Sequence, residues 1–154
     1  MPVYHGMPRV VDDQRNKFQT DSVIRQLHED CEVRYIDNKE CNVNERCARF
    51  RTECMEGKIQ LAVVPNGVHL LLSFPPSYLS DGSTSSEFVD FQNDTGKVRI
   101  KCPLIFNGVC VKFVGWLDNH SLVGAGHLEF DEASAEIEHQ VMTETVRKIN
   151  MFSK

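Results

Sequence analysis

Two Asn-Gly dipeptides, Asn66-Gly67 and Asn107-Gly108, each stand between runs of branched and aliphatic residues. Two-residue turns that match the twist of paired strands need positive φ at both central positions, and Asn followed by Gly meets that need at the lowest steric cost. Each dipeptide therefore predicts an antiparallel hairpin. The first joins 59–64 to 68–74, with Pro65 leading into the turn, and the second joins 98–104 to a strand running from 109 to 116. In the second, Val98, Ile100, Cys102 and Leu104 alternate with Arg99, Lys101 and Pro103, the period of a half-buried strand. Pro103 cannot donate to a ladder, so its end of the strand is expected at an edge or a bulge, where another chain finds unpaired backbone groups.

Around the hairpins the pattern alternates between helix and strand. The first ten residues read as an arm. Val23, Ile24, Leu27 and Cys31 recur at helical spacing and predict one helix from about Asp12 to Asp30. A short strand follows at 32–36. Asn42 and Glu45 then form a capping box, Val43, Cys47, Phe50 and Cys54 fall on one face, and Gly57 is a natural stop. A polar loop is expected over 75–86, a short strand at 88–91, and a turn at Asp94-Thr95-Gly96. Gly124-Ala125-Gly126 suggests a bend or bulge before a last short strand at Leu128 and Phe130. Beyond Asp131, Val141, Met142, Val146 and Ile149 mark a C-terminal helix over 131–152. Together these elements predict an α+β fold, a single domain over 1–154 with helices around a curled antiparallel sheet or small barrel.

The chemistry of the chain is sparse. A net charge of −5 argues against an independent grip on a phosphate backbone. The densest basic cluster, Arg46, Arg49 and Arg51, is interleaved with Glu45 and Glu53 and reads as a solvated helix face. None of the six cysteines forms a Cys-x-x-Cys pair. Several occupy apolar positions, so buried free thiols are expected rather than metal ligands or disulfides. The six histidines are scattered, and His127 is expected to face solvent. No phosphate loop, dinucleotide fingerprint or His-Glu-x-x-His is present, so neither catalysis, cofactor nor metal is expected. The N-terminus lacks a basic-then-apolar leader pattern, and a nuclear or cytoplasmic location is the expectation.

Five segments carry a resemblance. Met7 to Val11, Asp13 to Phe18, Asn107 to Val111, Gly115 to Asp118 and Leu128 to Glu132 are similar, in order and spacing, to the core-binding factor beta subunit family. The resemblance spans roughly residues 7–140. It implies a partly open β-barrel flanked by helices. It also implies a subunit that stays off DNA, binds the Runt domain of a transcription factor as a heterodimer, and enhances that domain's DNA binding allosterically. By position, the family's partner surface falls on Arg9 in the arm. It continues on Asn66, Gly67, His69, Leu71 and Ser73 at the first hairpin, and on Pro103, Leu104, Phe106 and Asn107 at the second. His69, Ser73 and Phe106 stand where the family commonly has Asn, Gln and Leu. Two other functions compete: an OB-like nucleic-acid-binding module, which needs aromatics in a basic groove, and a small thiol enzyme, which needs one unusually reactive cysteine.

Overall fold

A computed structural model describes residues 9–75, 88–91 and 95–152, with side chains to Asn150. Most of the predicted arm, the polar loop after Pro75, and Asp94 lie outside the described residues. The described chain is α+β. Its elements run α1 (Gln14–Thr20), α2 (Ser22–His28), β1 (Cys31–Tyr35), α3 (Val43–Glu56), β2 (Lys58–Val63), β3 (Val68–Ser73), β4 (Val89–Asp90), β5 (Lys97–Phe106), β6 (Val109–Asp118), β7 (Val123–Phe130) and α4 (Glu132–Phe152). No helix among the described residues is long and apolar enough to cross a membrane.

The strands form one antiparallel sheet of seven in the order β3-β2-β1-β7-β6-β5-β4. Its centre is held by tight backbone contact. A Cβ on Gly124 would collide with the Trp116 carbonyl, and one on Gly126 would enter the Phe113 ring. Across the same strand pair, a Cβ on Gly115 would lie 2.5 Å from the Ala125 oxygen. Glycine lets the β6 and β7 backbones close to that distance, and an aromatic ring then fills the place of the missing side chain. The registers of β7 with β6 and β1 run without interruption, so the expected bulge is absent. The glycines lie inside a strand that starts at Val123, several residues before the short strand the pattern predicts.

The coiled sheet wraps its inner face around a core of Tyr35, Phe50, Leu61, Leu72, Ile100, Phe113 and Leu128, all at most 1% exposed. Its two ends come together, with the Cys102 thiol donating to the Ser73 carbonyl at 3.3 Å. Among the described residues no ladder joins β3 to β5, so the barrel is only partly closed.

The helices depart from the sequence pattern in instructive ways. One helix was expected from Asp12 to Asp30, but two form, broken at Asp21 with extended backbone. The Asp21 carboxylate accepts the N–H groups of Val23 and Ile24 at 2.9 and 3.0 Å and caps α2. The backbone N–H of Ile24, then the ammonium of Lys17, hold its carboxyl below the usual range. A straight helix would set Phe18 and Ile24 about a third of a turn out of phase; the break buries both. Cys31, counted in the helical stripe, instead begins β1.

Helix α3 forms as its signals predict, with Asn42 accepting from the Glu45 N–H at 2.8 Å and Gly57 at φ 90°. Its stripe is narrower than expected: Phe50 and Cys54 are buried, Cys47 is half-buried, and Val43 is 60% exposed. In α4, Ala135 and Met142 pack with Val10 and Cys110, whereas Val141, Val146 and Ile149 remain exposed. The helix meets β6 with its first half only.

A buried amide ties these layers together. Gln14 accepts from the Cys110 N–H at 2.8 Å and donates to the Ala135 carbonyl at 3.2 Å, linking α1, β6 and α4.

Gly124→Ala is expected to destabilise the fold by about 2–4 kcal/mol, because the new methyl meets backbone that cannot move aside. Urea unfolding measures this. Gly67→Ala, where a Cβ meets nothing within 4 Å but φ is +70°, should cost only about 1–2 kcal/mol.

Candidate functional site

The two Asn-Gly hairpins differ in local structure. At the second, Asn107 has φ 50° and Gly108 φ 78°, and Phe106 pairs directly with Val109. This is the expected two-residue turn. At the first, Val63 pairs with Val68, leaving a four-residue loop from Val64 to Gly67. Only Gly67 of that dipeptide has positive φ, and its N–H donates to the Val63 carbonyl at 2.8 Å. Pro65 explains the correction. In a two-residue turn it would have to donate an N–H to Val68, and proline has none. Asn66 compensates by accepting from the Val68 N–H at 3.1 Å, while its amide donates to Gln26 on α2 at 3.1 Å.

Strand order places the two turns together. From β3 to β5 every neighbouring pair is antiparallel, so β3 and β5 run in opposite directions. The start of β3 and the end of β5, where the turns sit, therefore lie at the same end of the sheet. β3 is an edge strand. Among the described residues β5 is covered on its outer side only as far as Lys101, by β4 opposite Arg99 and Ile100 and by the Lys101 N–H bond to the Phe88 carbonyl at 2.8 Å, so Pro103 lies beyond that cover, on an edge as predicted.

Around these edges the residues singled out in the sequence are brought together. His69, Leu71 and Ser73 are exposed on one face of β3. Pro103 is exposed on β5, while Leu104 and Phe106 are half-buried against the core at the open end of the barrel. Burial falls along β5 from Cys102, fully buried, to Phe106, and along β3 from Leu72 to Val68. Asn66, Gly67 and Asn107 are exposed at the turns. Arg9 is held apart from the strands by an ion pair with Glu138 on α4, its own side chain 68% exposed. Next to it the arm docks on the second turn, where the Val11 N–H donates to the Gly108 carbonyl at 2.9 Å. A Cβ on Gly108 would lie 2.8 Å from the Val11 side chain. That turn is therefore partly occupied by its own chain, and Asn107 is left outward.

The structure adds two residues that the sequence reading did not single out. Ile105, between Pro103 and Asn107, is 36% exposed, and Val64 in the first loop is 44% exposed. Ile105 carried a readable signal, an aliphatic side chain at the outward position of an alternating strand. With Leu71, 46% exposed, these residues give the two edges an apolar character.

No group of His, Cys, Asp or Glu suited to a metal ion occurs among the described residues. All six cysteines are free, with Cys54, Cys102 and Cys110 buried and the rest half-buried. His127 is partly covered rather than fully solvent-facing, its side chain 27% exposed beside Glu129 at 2.8 Å and Asp30 at 3.6 Å. Burial pushes the Cys102 thiol up to about 11, against a backbone hydrogen bond at Ser73, which lowers it. Burial, then Glu138 and Asp131, push Cys110 up to about 11 as well. Burial also pushes Cys54 far upward.

Comparison with known proteins follows the same line. A family model described as core binding factor beta subunit matches residues 7–152. The chain is 39% identical over 144 residues to "Protein brother" of Drosophila melanogaster, covering 94% of this chain and 67% of that protein. It is 40% identical over 147 residues to "Protein big brother" of the same organism, with the same two shares.

The raised thiols make stability pH-dependent. In the unfolded chain these thiols ionise near their ordinary value, while the folded state keeps its protons. The unfolded state then binds fewer protons, and stability falls as pH rises. Urea midpoints should decline from about pH 9 to about pH 11. At pH 7.5, Cys54, Cys102 and Cys110 should resist iodoacetamide until the protein is unfolded, read by peptide mass spectrometry.

Proposed function

Since the chain belongs to the core binding factor beta subunit family, we propose that it is a non-catalytic subunit of a heterodimeric transcription factor that docks on a Runt domain. The observation that carries this reading is the convergence of both Asn-Gly turns and two open strand edges at one end of the sheet. An edge offers unpaired N–H and C=O groups, and the flanking Leu71, Pro103 and Ile105 supply apolar contact. Asn107 adds an outward amide with one acceptor and two donors. Arg9, Asn66, Gly67, His69, Ser73, Leu104 and Phe106 complete the docking surface. Because Asn66 already bonds to Gln26, its role is to hold the first turn in shape as well as to meet the partner, while Arg9 meets the partner from the arm beside α4.

The net charge of −5 suits a subunit that does not touch phosphates itself. Its effect on DNA binding is then a linkage. A subunit that prefers the DNA-competent form of its partner raises that partner's DNA affinity, and DNA raises subunit affinity by the same factor. A tenfold effect needs only about 1.4 kcal/mol of coupling. The hairpins would supply it by holding a partner loop in its DNA-binding shape. Such a subunit works in the nucleus with its partner and in the cytoplasm before assembly.

Fluorescence anisotropy with a labelled Runt domain, with and without its DNA site, tests the linkage. Affinity should rise with DNA, and equal values in both arms would sink the allosteric reading. In a gel shift the chain alone should leave DNA unshifted; a shift would favour the OB-like alternative.

Asn107→Ala is expected to weaken Runt-domain binding by about 1–3 kcal/mol, by leaving partner groups unpaired. Ile105→Asp should do at least as much, through a charge buried at the edge. Gly67→Val should weaken binding through the turn, since a branched residue disfavours φ near +70°. Normal binding by all three folded variants would remove the surface from consideration.

A further inference from the structure

A cavity of about 490 Å³ opens where β1, the end of β2, the β6–β7 turn and the first turn of α3 converge. Arg34, Lys39, Arg46 and His120 line it, and no carboxylate does. In a chain of net charge −5 that is a local reversal of sign. The remaining wall is largely apolar, with Ala62 and Val123 among the residues that form it. The volume falls within the range of small-molecule sites.

Arg46 is positioned rather than neutralised. Arg46 donates through Nε to the Asp37 carbonyl at 3.0 Å and through Nη2 to the Tyr35 carbonyl, and its guanidinium lies 5.0 Å over the Tyr35 ring. Carbonyls and a ring fix the group without cancelling its unit charge. Other guanidinium N–H groups remain for a ligand. Lys39 makes no ion pair with the described residues. Arg34 is paired with Glu32 at 2.7 Å and contributes less. The N-terminal end of α3, which opens onto the same cavity through Val43, adds to the positive potential.

We propose that this cavity binds a phosphoryl group on a small organic body, with the phosphate between Lys39 and Arg46 and the body against the apolar wall. A carboxylate offers one charge and two acceptor oxygens, which a single guanidinium edge can satisfy, and the Nε edge of Arg46 is already given to backbone carbonyls. A phosphate monoester carries close to two charges and three acceptor oxygens, so separate donors on different elements can each take one. Ala62 sits opposite His69 in the β2–β3 register, which places an occupant beside the proposed docking edge without depending on that edge.

Two sources share this chemistry, a free phosphate ester and a phosphorylated side chain of another protein. The test is a titration of the isotope-labelled full chain, followed by amide chemical shifts at constant ionic strength. The probes are phenyl phosphate, a phosphoserine hexapeptide and benzoate. Saturable shifts confined to the neighbourhood of Lys39, Cys41, Arg46 and His120 are expected with a phosphate probe. Benzoate should bind at least about fivefold more weakly, for want of the second charge and third oxygen. Tighter phenyl phosphate would identify a free ester as the source, and a tighter phosphopeptide a modified protein. Lys39→Gln, at an exposed position that leaves the fold intact, should weaken the better probe by about fivefold. Shifts that never saturate, shifts spread over surface lysines, equal binding of benzoate, or an unaltered Lys39→Gln would each overturn the proposal. Loss of Runt-domain binding by the edge variants bears on none of these readings, so the two proposals stand or fall separately.

Discussion

The close approach of β6 and β7 at Gly115, Gly124 and Gly126 is the constraint on which the rest of the architecture depends. With side chains at these positions the two central strands would be forced apart, and the sheet could not coil tightly enough to bring β3 toward β5. That coil has two consequences. It encloses the inner face around Phe113, Leu72 and Ile100, which provides most of the hydrophobic stabilisation. It also brings the ends of the sheet to the Ser73–Cys102 contact, with no ladder joining β3 to β5 among the described residues. The same geometry that builds the core therefore brings together the edges proposed for docking.

The outer face is held by polar bonds as much as by packing. Gln14, buried between α1, β6 and α4, has both ends of its amide bonded, so its burial carries no unsatisfied group. Asp131 serves the neighbouring joint: its N–H donates to the Cys110 carbonyl at 3.0 Å and its carboxylate accepts from Ser134 at 3.2 Å. These bonds bring α4 and the arm to the second hairpin, where Val11 meets Gly108. The arm thus stiffens a turn that would otherwise be an isolated tip. The first turn gains comparable support from Gln26 on α2. Both tips are braced from behind, which lowers the ordering cost a partner has to meet.

Much of this was legible in the residues because the responsible physics is local. Asn42 and Gly57 bound α3 through backbone groups within a few residues, and Asn107-Gly108 satisfies its turn by its own φ values. The alternation in β5 reads directly as its inward face through Cys102. Where the reading failed, a competing local signal or a distant neighbour won. At Asn66 the preceding Pro65 widened the turn. At Asp21 a capping carboxylate broke a pattern that looked continuous. At Val43, Val146 and Ile149 the periodicity was genuine, but the surface needed to cover those side chains is absent among the described residues. Ile105 is legible in the same way, as an apolar residue at an outward position of an alternating strand.

The sequence by itself determined the α+β class, the third helix with its caps, the strand pairs of both hairpins, the absence of the common catalytic motifs and the family. Each of these rests on short-range pattern or on segments matched in order. Only the tertiary structure decided that the two turns share one end of the sheet, and that Gly108 is already engaged by Val11. It alone gathered Lys39, Arg46 and His120 around one cavity. The reason is physical: strand order and coil depend on contacts between residues far apart in the chain. Such contacts follow from how β6 and β7 pack, not from any spacing a single segment records.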